Sequence, residues 1–303
     1  MHAVWESDIQ KALDIAGEGN ILVDDVVDRR ISAVIDRRNP LWAMLPKRQG
    51  EGLNWIIVRQ SAEGAAAFIA DTADPPENDP TFDAQVLFQF RVLAIRGSVT
   101  TLLQAAGASY TNVRGQNMNS AIGSFGNEAE RAIVEGDNGS NPLEPDGLKQ
   151  LIPVGQTVSS TASGLTKDEI DESIDRGTAF GARFAFGATS QRVRREINAL
   201  EAAFRQSTDK VVVPGGLRVP TWDMLPLVDS NAIVTNEGGG TNESRLYWID
   251  TDEFFVGQLQ PPRPVDLAII SGTNRKFDIV GFHTHVLSHT GRISQVDKII
   301  PPP

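Results

Sequence analysis

Between Phe82 and Ile95 the chain carries a strand-like run longer than strands in globular cores usually are. Val86, Phe88, Phe90 and Val92 fall on one face of it, and Leu87, Gln89, Arg91 and Leu93 on the other. A second run, Trp55–Val58, resumes over Ala65–Ala70 after a break at Glu63-Gly64. Between the two lies Asp71-Thr72-Ala73-Asp74-Pro75-Pro76-Glu77-Asn78-Asp79-Pro80, a turn-rich tip whose only charges are acidic. The pattern predicts a long hairpin over residues 53–99. Such a run either bends at a bulge or projects from the body, and a projecting hairpin cannot bury both faces by itself. It needs a partner.

Residues 1–52 make a similar demand. Val4–Ile15 and Asp25–Ile35 have weak helical periodicity, with Asp24 or Asp25 as a cap for the second. Arg37, Arg38 and Asn39 followed by Pro40 form a helix stop signal. Leu41-Trp42-Ala43-Met44-Leu45-Pro46 is then an apolar patch with no long element to carry it. It packs either on the same chain or on a neighbouring subunit.

The rest of the chain reads as a body. Residues 112–135 are the best long helix, with Met118, Ile122, Phe125, Ala129 and Ile133 at helical spacing. Gly115, Gly123 and Gly126 each cost roughly 1 kcal/mol there relative to Ala, which predicts close approach of another backbone or a bulky side chain. Gly136–Pro142 is a loop, and Pro145–Ile152 re-enters structure. Thr166 and Glu169 make a capping box, with Leu165 and Ile170 as its hydrophobic staple. They open a short helix that turns Ile170 and Ile174 inward and ends at Gly177.

Arg183–Phe204 reads as a strand through Phe184 and Phe186, a break at Gly187, a cap at Thr189 or Ser190, and a helix with Val193, Ile197, Leu200 and Phe204 on one stripe. Beyond it strands are expected at Lys210–Val213, Gly216–Val219, Ala232–Thr235, Arg245–Ile249, Phe254–Gly257, Val265–Ile270, Phe277–Leu287 and Gly291–Ile300. Asn236–Glu243 is expected to be a mobile Gly-rich loop.

Composition narrows the function. The 303 residues suffice for two domains, and a 40% hydrophobic content supports an ordinary core. The absence of cysteine excludes disulfides, thiolate metal sites and Cys nucleophiles. A net charge of −11 argues against a general nucleic-acid binder. No run approaches the ~18 apolar residues of a membrane span, and Met1–Asn20 lacks the positive and apolar regions of a signal peptide.

The chemistry of enzymes is sparse. There is no Gly-x-Ser-x-Gly elbow, and Gly238-Gly239-Gly240 leads into no Lys-Ser/Thr, so neither that hydrolase site nor a P-loop is present. Asp168 and Asp171 lie on a solvated helix, where charge is the expected surface pattern. His283 and His285 share a strand face and His289 follows across a turn. Imidazoles suit Zn²⁺ or Ni²⁺, but no carboxylate or fourth ligand is placed beside them, and two exposed strand histidines beside a turn is the simpler reading. No catalytic, cofactor or metal residue is assigned.

Four segments in order resemble the major capsid proteins of tailed bacteriophages, the Hong Kong 97-like fold. They are the long helix running into Ala132-Ile133-Val134-Glu135-Gly136-Asp137; Asp146-Gly147-Leu148 through Leu151-Ile152-Pro153; the capped helix with Arg183-Phe184-Ala185-Phe186-Gly187 and the Thr189–Phe204 helix; and Leu246-Tyr247-Trp248-Ile249-Asp250 with Phe254-Phe255-Val256 and a closing strand pair near Ile300. The evidence is their order and spacing, behind an arm and a long hairpin. The resemblance implies an α+β fold with an N-terminal arm at 1–52, an extended loop at 53–98 lying across a neighbour, a peripheral domain at 99–150 and 275–303 with a spine helix, and an axial domain at 151–274.

What the resemblance implies in function is a non-enzymatic protein that self-assembles into hexamers and pentamers of an icosahedral phage head. The head would enclose double-stranded DNA without sequence-specific binding. It would be assembled in the host cytoplasm and located in the virion. Portal, scaffold or decoration proteins are the expected partners besides further copies of the chain, and no membrane is involved. Trp42 and Leu45 are then expected to be buried largely between subunits. Asp71, Asp74, Glu77 and Asp79 are expected to dock on an adjacent subunit, on Arg29 with Arg30, Arg37 with Arg38, or Arg192 with Arg194 and Arg195. An encapsulin-like compartment is the near rival, and a metal-dependent enzyme built on His283, His285 and His289 the distant one.

Overall fold

The structure is a computed structural model. It describes residues 35, 39–62, 66–69, 71, 74, 76–77, 79–82, 85–107, 113–160, 164–204, 210–212, 218–234, 243–267 and 274–300. The expected helix Val4–Ile15, nearly all of Asp25–Ile35, and the Gly-rich segment from Asn236 lie outside these residues.

Two sheets and one long helix make the body. The first sheet has strand order β1–β13–β14–β6, from β1 (Lys47–Gln49), β6 (Arg91–Thr100), β13 (Phe254–Leu267) and β14 (Asn274–Leu287). β1 runs parallel to β13, and β14 is antiparallel to both β13 and β6. The second sheet is seven-stranded. Its order is β7 (Thr157–Ser159), β15 (Ser294–Ile299), β12 (Ser244–Ile249), β8 (Phe186–Thr189), β11 (Leu225–Asp229), β10 (Arg218–Trp222) and β9 (Lys210–Val212). Short helices α1 (Pro40–Met44) and α2 (Thr101–Gly107) precede the spine helix α3 (Val113–Glu135), and α4 (Leu148–Leu151), α5 (Lys167–Thr178) and α6 (Gln191–Phe204) follow it.

The sheets divide the chain differently from the expected ranges. Phe254–Leu267 pairs with β14 in the first sheet, so it lies with the spine helix rather than with residues 151–253. Ser294–Ile299 pairs with β12 and β7 in the second. Each sheet therefore takes strands from both sides of the boundary drawn at residue 275.

The spine helix holds as expected. Ile122, Phe125, Ala129 and Ile133 are buried together with Ile279, Phe277 and Phe254 of the first sheet. Gly126 has the predicted close neighbour: a Cβ there would stand 2.3 Å from Asn39 Nδ2. The capping box forms as read, with Glu169 N–H donating to Thr166 and Thr166 N–H donating to Glu169 Oε2 at 2.9 Å. Leu165, Ile170, Val193 and Ile197 share a second cluster with Trp248 and Leu246. Ser190 caps α6, accepting from Val193 N–H at 3.5 Å.

Several local expectations are corrected. The strand after Arg183 runs through Gly187, and all four of its residues are buried. This glycine is a point of close approach, where a Cβ would come within 2.6 Å of the Trp248 ring. The described part of Ala232–Thr235 is a turn and bend after β11 rather than a strand, and Leu225–Asp229 is the strand that sequence patterning missed. Phe254–Gly257 and Val265–Leu267 belong to one bulged strand. Pro40 opens α1 instead of following a stop, because a proline at the first helical position loses no hydrogen bond there. Ala66–Ile69 is irregular, so the first hairpin arm does not resume as a strand over the described part of Ala65–Ala70.

Candidate assembly surfaces

The hairpin is built in two steps. β2 (Asn54–Ile57) pairs with β5 (Val86–Gln89), opposing Trp55 to Phe88, Ile56 to Leu87 and Ile57 to Val86. Farther out, β3 (Gln60–Ala62) pairs with β4 (Thr81–Phe82). One face of the inner pair sits on the body: Phe88 is buried with Phe255 and Val286, and Trp55, Ile57 and Val86 pack against them. The Trp55 and Phe255 rings meet edge to face at 5.2 Å. Gly50 and Gly257 leave the room this requires, since a Cβ on Gly50 would press on the rings of Phe90 and Trp55 and one on Gly257 would crowd the Trp55 ring. Arg59 fixes the exit of the hairpin by donating to the carbonyls of Leu287 at 2.7 Å and Ser288 at 2.8 Å.

The long run bends where it leaves the body. β5 ends at Gln89 and β6 begins at Arg91, so the chain changes partner at Phe90, from β2 to β14. Inward positions are Val86, Phe88 and Phe90 up to that point and Arg91, Leu93, Ile95, Gly97 and Val99 after it. The expected face of Val86, Phe88, Phe90 and Val92 therefore fails at its last member: Val92 is 60% exposed. Two successive inward residues shift the alternation by one, as at a β-bulge.

Among the described residues, nothing covers the other face of the hairpin. Ile56 is 55% and its cross-strand neighbour Leu87 59% exposed, and Leu53, Val58, Phe68, Ile69 and Phe82 extend the apolar surface outward. At the tip, Asp71, Asp74, Glu77 and Asp79 are all exposed in irregular backbone. Of the basic clusters offered to them, Arg29, Arg30, Arg37 and Arg38 lie outside the described residues. In the third, Arg194 already holds Asp229 at 2.6 Å within its own chain, which leaves this cluster a weaker claim on the tip.

The arm behaves otherwise. Trp42 is 3% and Leu45 2% exposed within a single chain, in one cluster with Ile122, Phe125 and Ile279. The expectation that these two side chains are buried largely between subunits is corrected: α1 tucks them against the spine helix and first sheet of their own chain. The Trp42 ring meets His283 edge to face at 5.7 Å, and Lys47 lies over it at 5.3 Å.

Trp42 also leads to a group that sequence reasoning passed over. Glu130, on α3, is buried at 3% exposure. It accepts from the backbone N–H of Trp42 at 3.5 Å, from that of Leu41, and from the hydroxyl of Ser230 just beyond β11. Burial raises its pKa to about 7 against these hydrogen bonds. Nothing in the helical pattern marks it except a carboxylate one turn after Gly126, next to the apolar stripe.

The histidines do not assemble. His283 and His285 share a face, with ring centroids 5.7 Å apart, but both are buried, which corrects the reading as exposed strand residues. His285 Nδ1 bonds the carbonyl of Asp146 at 3.0 Å. Burial lowers His283 to about 4 and His285 to about 3, so both are neutral near pH 7. His289 stands apart, where its Nδ1 accepts from Gly291 N–H at 3.0 Å and its ring lies tilted against that of Phe180, with centroids 6.2 Å apart. Among the described residues no three His, Cys, Asp or Glu side chains gather as a metal-binding group.

No known family profile and no curated protein matches this sequence. Solved structures do. The holo-SrpI encapsulin complex of Synechococcus elongatus PCC 7942 is similar with a TM-score of 0.68 at 12% identity, over 86% of this chain and 87% of that one. A structure from Mycobacterium phage Bobi gives 0.66 at 11% identity, over 86% and 90%. The capsid of a native GTA particle gives 0.62 at 13% identity, over 88% and 90%. With its arm, projecting hairpin, spine helix and paired sheets, this chain has the Hong Kong 97-like fold of viral capsids and encapsulin shells.

Proposed function

We propose that this chain is the major capsid protein of a tailed phage, assembling with copies of itself into hexamers and pentamers of an icosahedral head around double-stranded DNA. The observation that carries the reading is the uncovered apolar face of the hairpin. A chain that packs the Phe88 and Trp55 face of the hairpin on its body while leaving Ile56 and Leu87 on the other face in water is built for a second copy to cover them. Burying each such side chain contributes ~1.5–3 kcal/mol. The hairpin lies across a neighbour, with its acidic tip reaching basic side chains there. The four-stranded sheet and spine helix form the peripheral body, and the seven-stranded sheet the axial body. The chain is structural, without a catalytic site. Its net charge of −11 suits a container that does not grip its cargo, because each phosphate contact would need Lys or Arg. Portal, scaffold and decoration proteins are the further partners, assembly takes place in the host cytoplasm, and the product is the virion.

An encapsulin-like compartment is the second reading, favoured by the TM-score of the Synechococcus shell. Electron microscopy of particles from cells expressing the chain, alone and with its neighbouring genes, tests both. Closed shells of uniform size packed with DNA when terminase and portal are supplied fit the phage head. Shells that load a co-encoded enzyme instead fit the compartment. A chain that stays monomeric in every combination overturns both.

A further inference from the structure

Asn138 is the one asparagine of the 303 residues that a glycine follows. Asn138, Gly139 and Ser140 are exposed in a turn just beyond the spine helix. Gly139 has no Cβ to shield its backbone nitrogen from the Asn138 side chain, so the pair can close into a five-membered ring. Both reacting ends meet a charged group here. The Gly139 N–H donates to Asp137 Oδ1 at 2.8 Å. Asn138 Oδ1 accepts from Arg91 Nη2 at 2.7 Å, a short charge-assisted bond from the first residue of β6. The Ser140 hydroxyl and N–H also donate to Asp137 and hold its carboxyl below the ordinary carboxylate range, so it is an anion at neutral pH. The Asn138 N–H donates to Asp146 Oδ1 at 2.9 Å, which anchors the main chain on the other side.

We propose that Asn138-Gly139 is a self-modifying site: with Arg91 on the side-chain oxygen and Asp137 on the attacking N–H, Asn138 converts to aspartate or isoaspartate through a cyclic imide. A bond forms from Gly139 N to Asn138 Cγ, and the Cγ–Nδ2 bond breaks. The proton of the Gly139 N–H passes by way of Asp137 to Nδ2, which leaves as ammonia. Water then opens the ring at either carbonyl. One water enters, one ammonia leaves, and no oxidant or reductant takes part. Arg91 faces the oxygen on which negative charge builds as the tetrahedral centre forms, the place of an oxyanion-stabilising donor. Asp137 accepts from the N–H that must be shed, the place of a general base. Nucleophile and electrophile sit on adjacent residues of one chain, so the inference does not rest on the shell reading. The product reaches the hairpin, because Arg91 stands where the long run bends out of the body. Aspartate turns the neutral contact with Arg91 into an ion pair, and isoaspartate adds a carbon to the main chain beside it.

The test is peptide mapping by mass spectrometry of the full chain kept in mildly alkaline buffer, folded and, in parallel, unfolded in guanidinium chloride. The imide, and the products with OH in place of NH2, should collect at Asn138 several-fold faster in the folded chain, because only the fold brings Arg91 to Oδ1. Arg91→Ala should slow the folded chain roughly tenfold, less than the ~10²–10³ lost with an enclosed oxyanion donor because this site is exposed. It should leave the unfolded rate unchanged. A folded rate at or below the unfolded rate overturns the proposal, since the two bonds would then only hold the loop still. An Arg91→Ala chain that folds and reacts as fast as the unsubstituted one overturns it equally. Should Arg91→Ala fail to fold, the comparison of folded and unfolded unsubstituted chain decides alone.

Discussion

The arm segment Pro40–Leu45 and the hairpin 53–98 look alike in sequence. Each sets large apolar side chains on an element too small to bury them. In the folded chain they part company. Leu41, Trp42 and Leu45 vanish into the cluster around Phe125, whereas Leu53, Ile56 and Leu87 stay in water. The difference is geometric. α1 is a single turn lying flat on the spine helix, where Gly126 admits Asn39, so the whole apolar side of the arm meets one surface. The hairpin is a ribbon with two faces, and the body can cover only one of them. An apolar patch thus reports that a partner is needed. The dimensionality of its backbone decides whether the chain itself can be that partner.

Four measurements break or sharpen this contrast. The largest effect belongs to the internal patch: Trp42→Ala should destabilise the folded chain by about 3–5 kcal/mol, read by denaturant unfolding. A loss near zero would mean that the arm is not docked on its own body. Next, acid should weaken the same patch, since His283 contributes about 3 kcal/mol less at pH 4 than at neutral pH. His283→Gln should remove about half of the fall in unfolding free energy that His283 and His285 together cause between pH 6.5 and 4, and an unchanged slope would remove His283 from the account.

The external patch should respond in the opposite sense. Ile56→Ser with Leu87→Ser should leave the unfolding free energy within about 0.5 kcal/mol, because both residues are already exposed, yet prevent closed shells from forming. Shells that form normally would show that this face is not a subunit contact. The smallest effect concerns the tip. Changing Asp71, Asp74 and Asp79 to Asn and Glu77 to Gln should make the shell dissociate more readily and with a flatter salt dependence, each exposed pair contributing only ~0–1 kcal/mol. Wild-type stability and salt response together would exclude docking through these carboxylates.

What was legible in the sequence was what local physics decides. The Thr166–Glu169 box, the Ser190 cap and the stripe of Ile122, Phe125 and Ala129 depend on residues a turn apart, and all three appear as read. The misreadings sit where distant chain decides. Gly187 has the look of a breaker until Trp248 and Leu227 are seen to fill the space beside it. Leu225–Asp229 has two neighbours in its sheet but no alternating pattern to announce it. The face of the long run inverts at Phe90 because the partner changes there, an event with no signature in the run itself. Glu130 was invisible for the same reason, since its partners come from residues 41, 42 and 230.

The strand pairing has a consequence for the order in which a ribosome releases this chain. Lys47–Gln49 must wait for Val256–Gln258, β6 for Asn274–His283, and Thr157–Ser159 for Gln295–Asp297. Neither sheet can close while the last strands are still unmade, and contacts this far apart in sequence form slowly. Until then Phe88 and Trp55 lack Phe255 and Val286, the surface that holds the hairpin at its working angle. A nascent chain therefore carries the sticky ribbon but not the seat that aims it. Under the shell proposal, competence to join a neighbour arrives only with the late-made strands, so partly synthesised copies stay out of assembly.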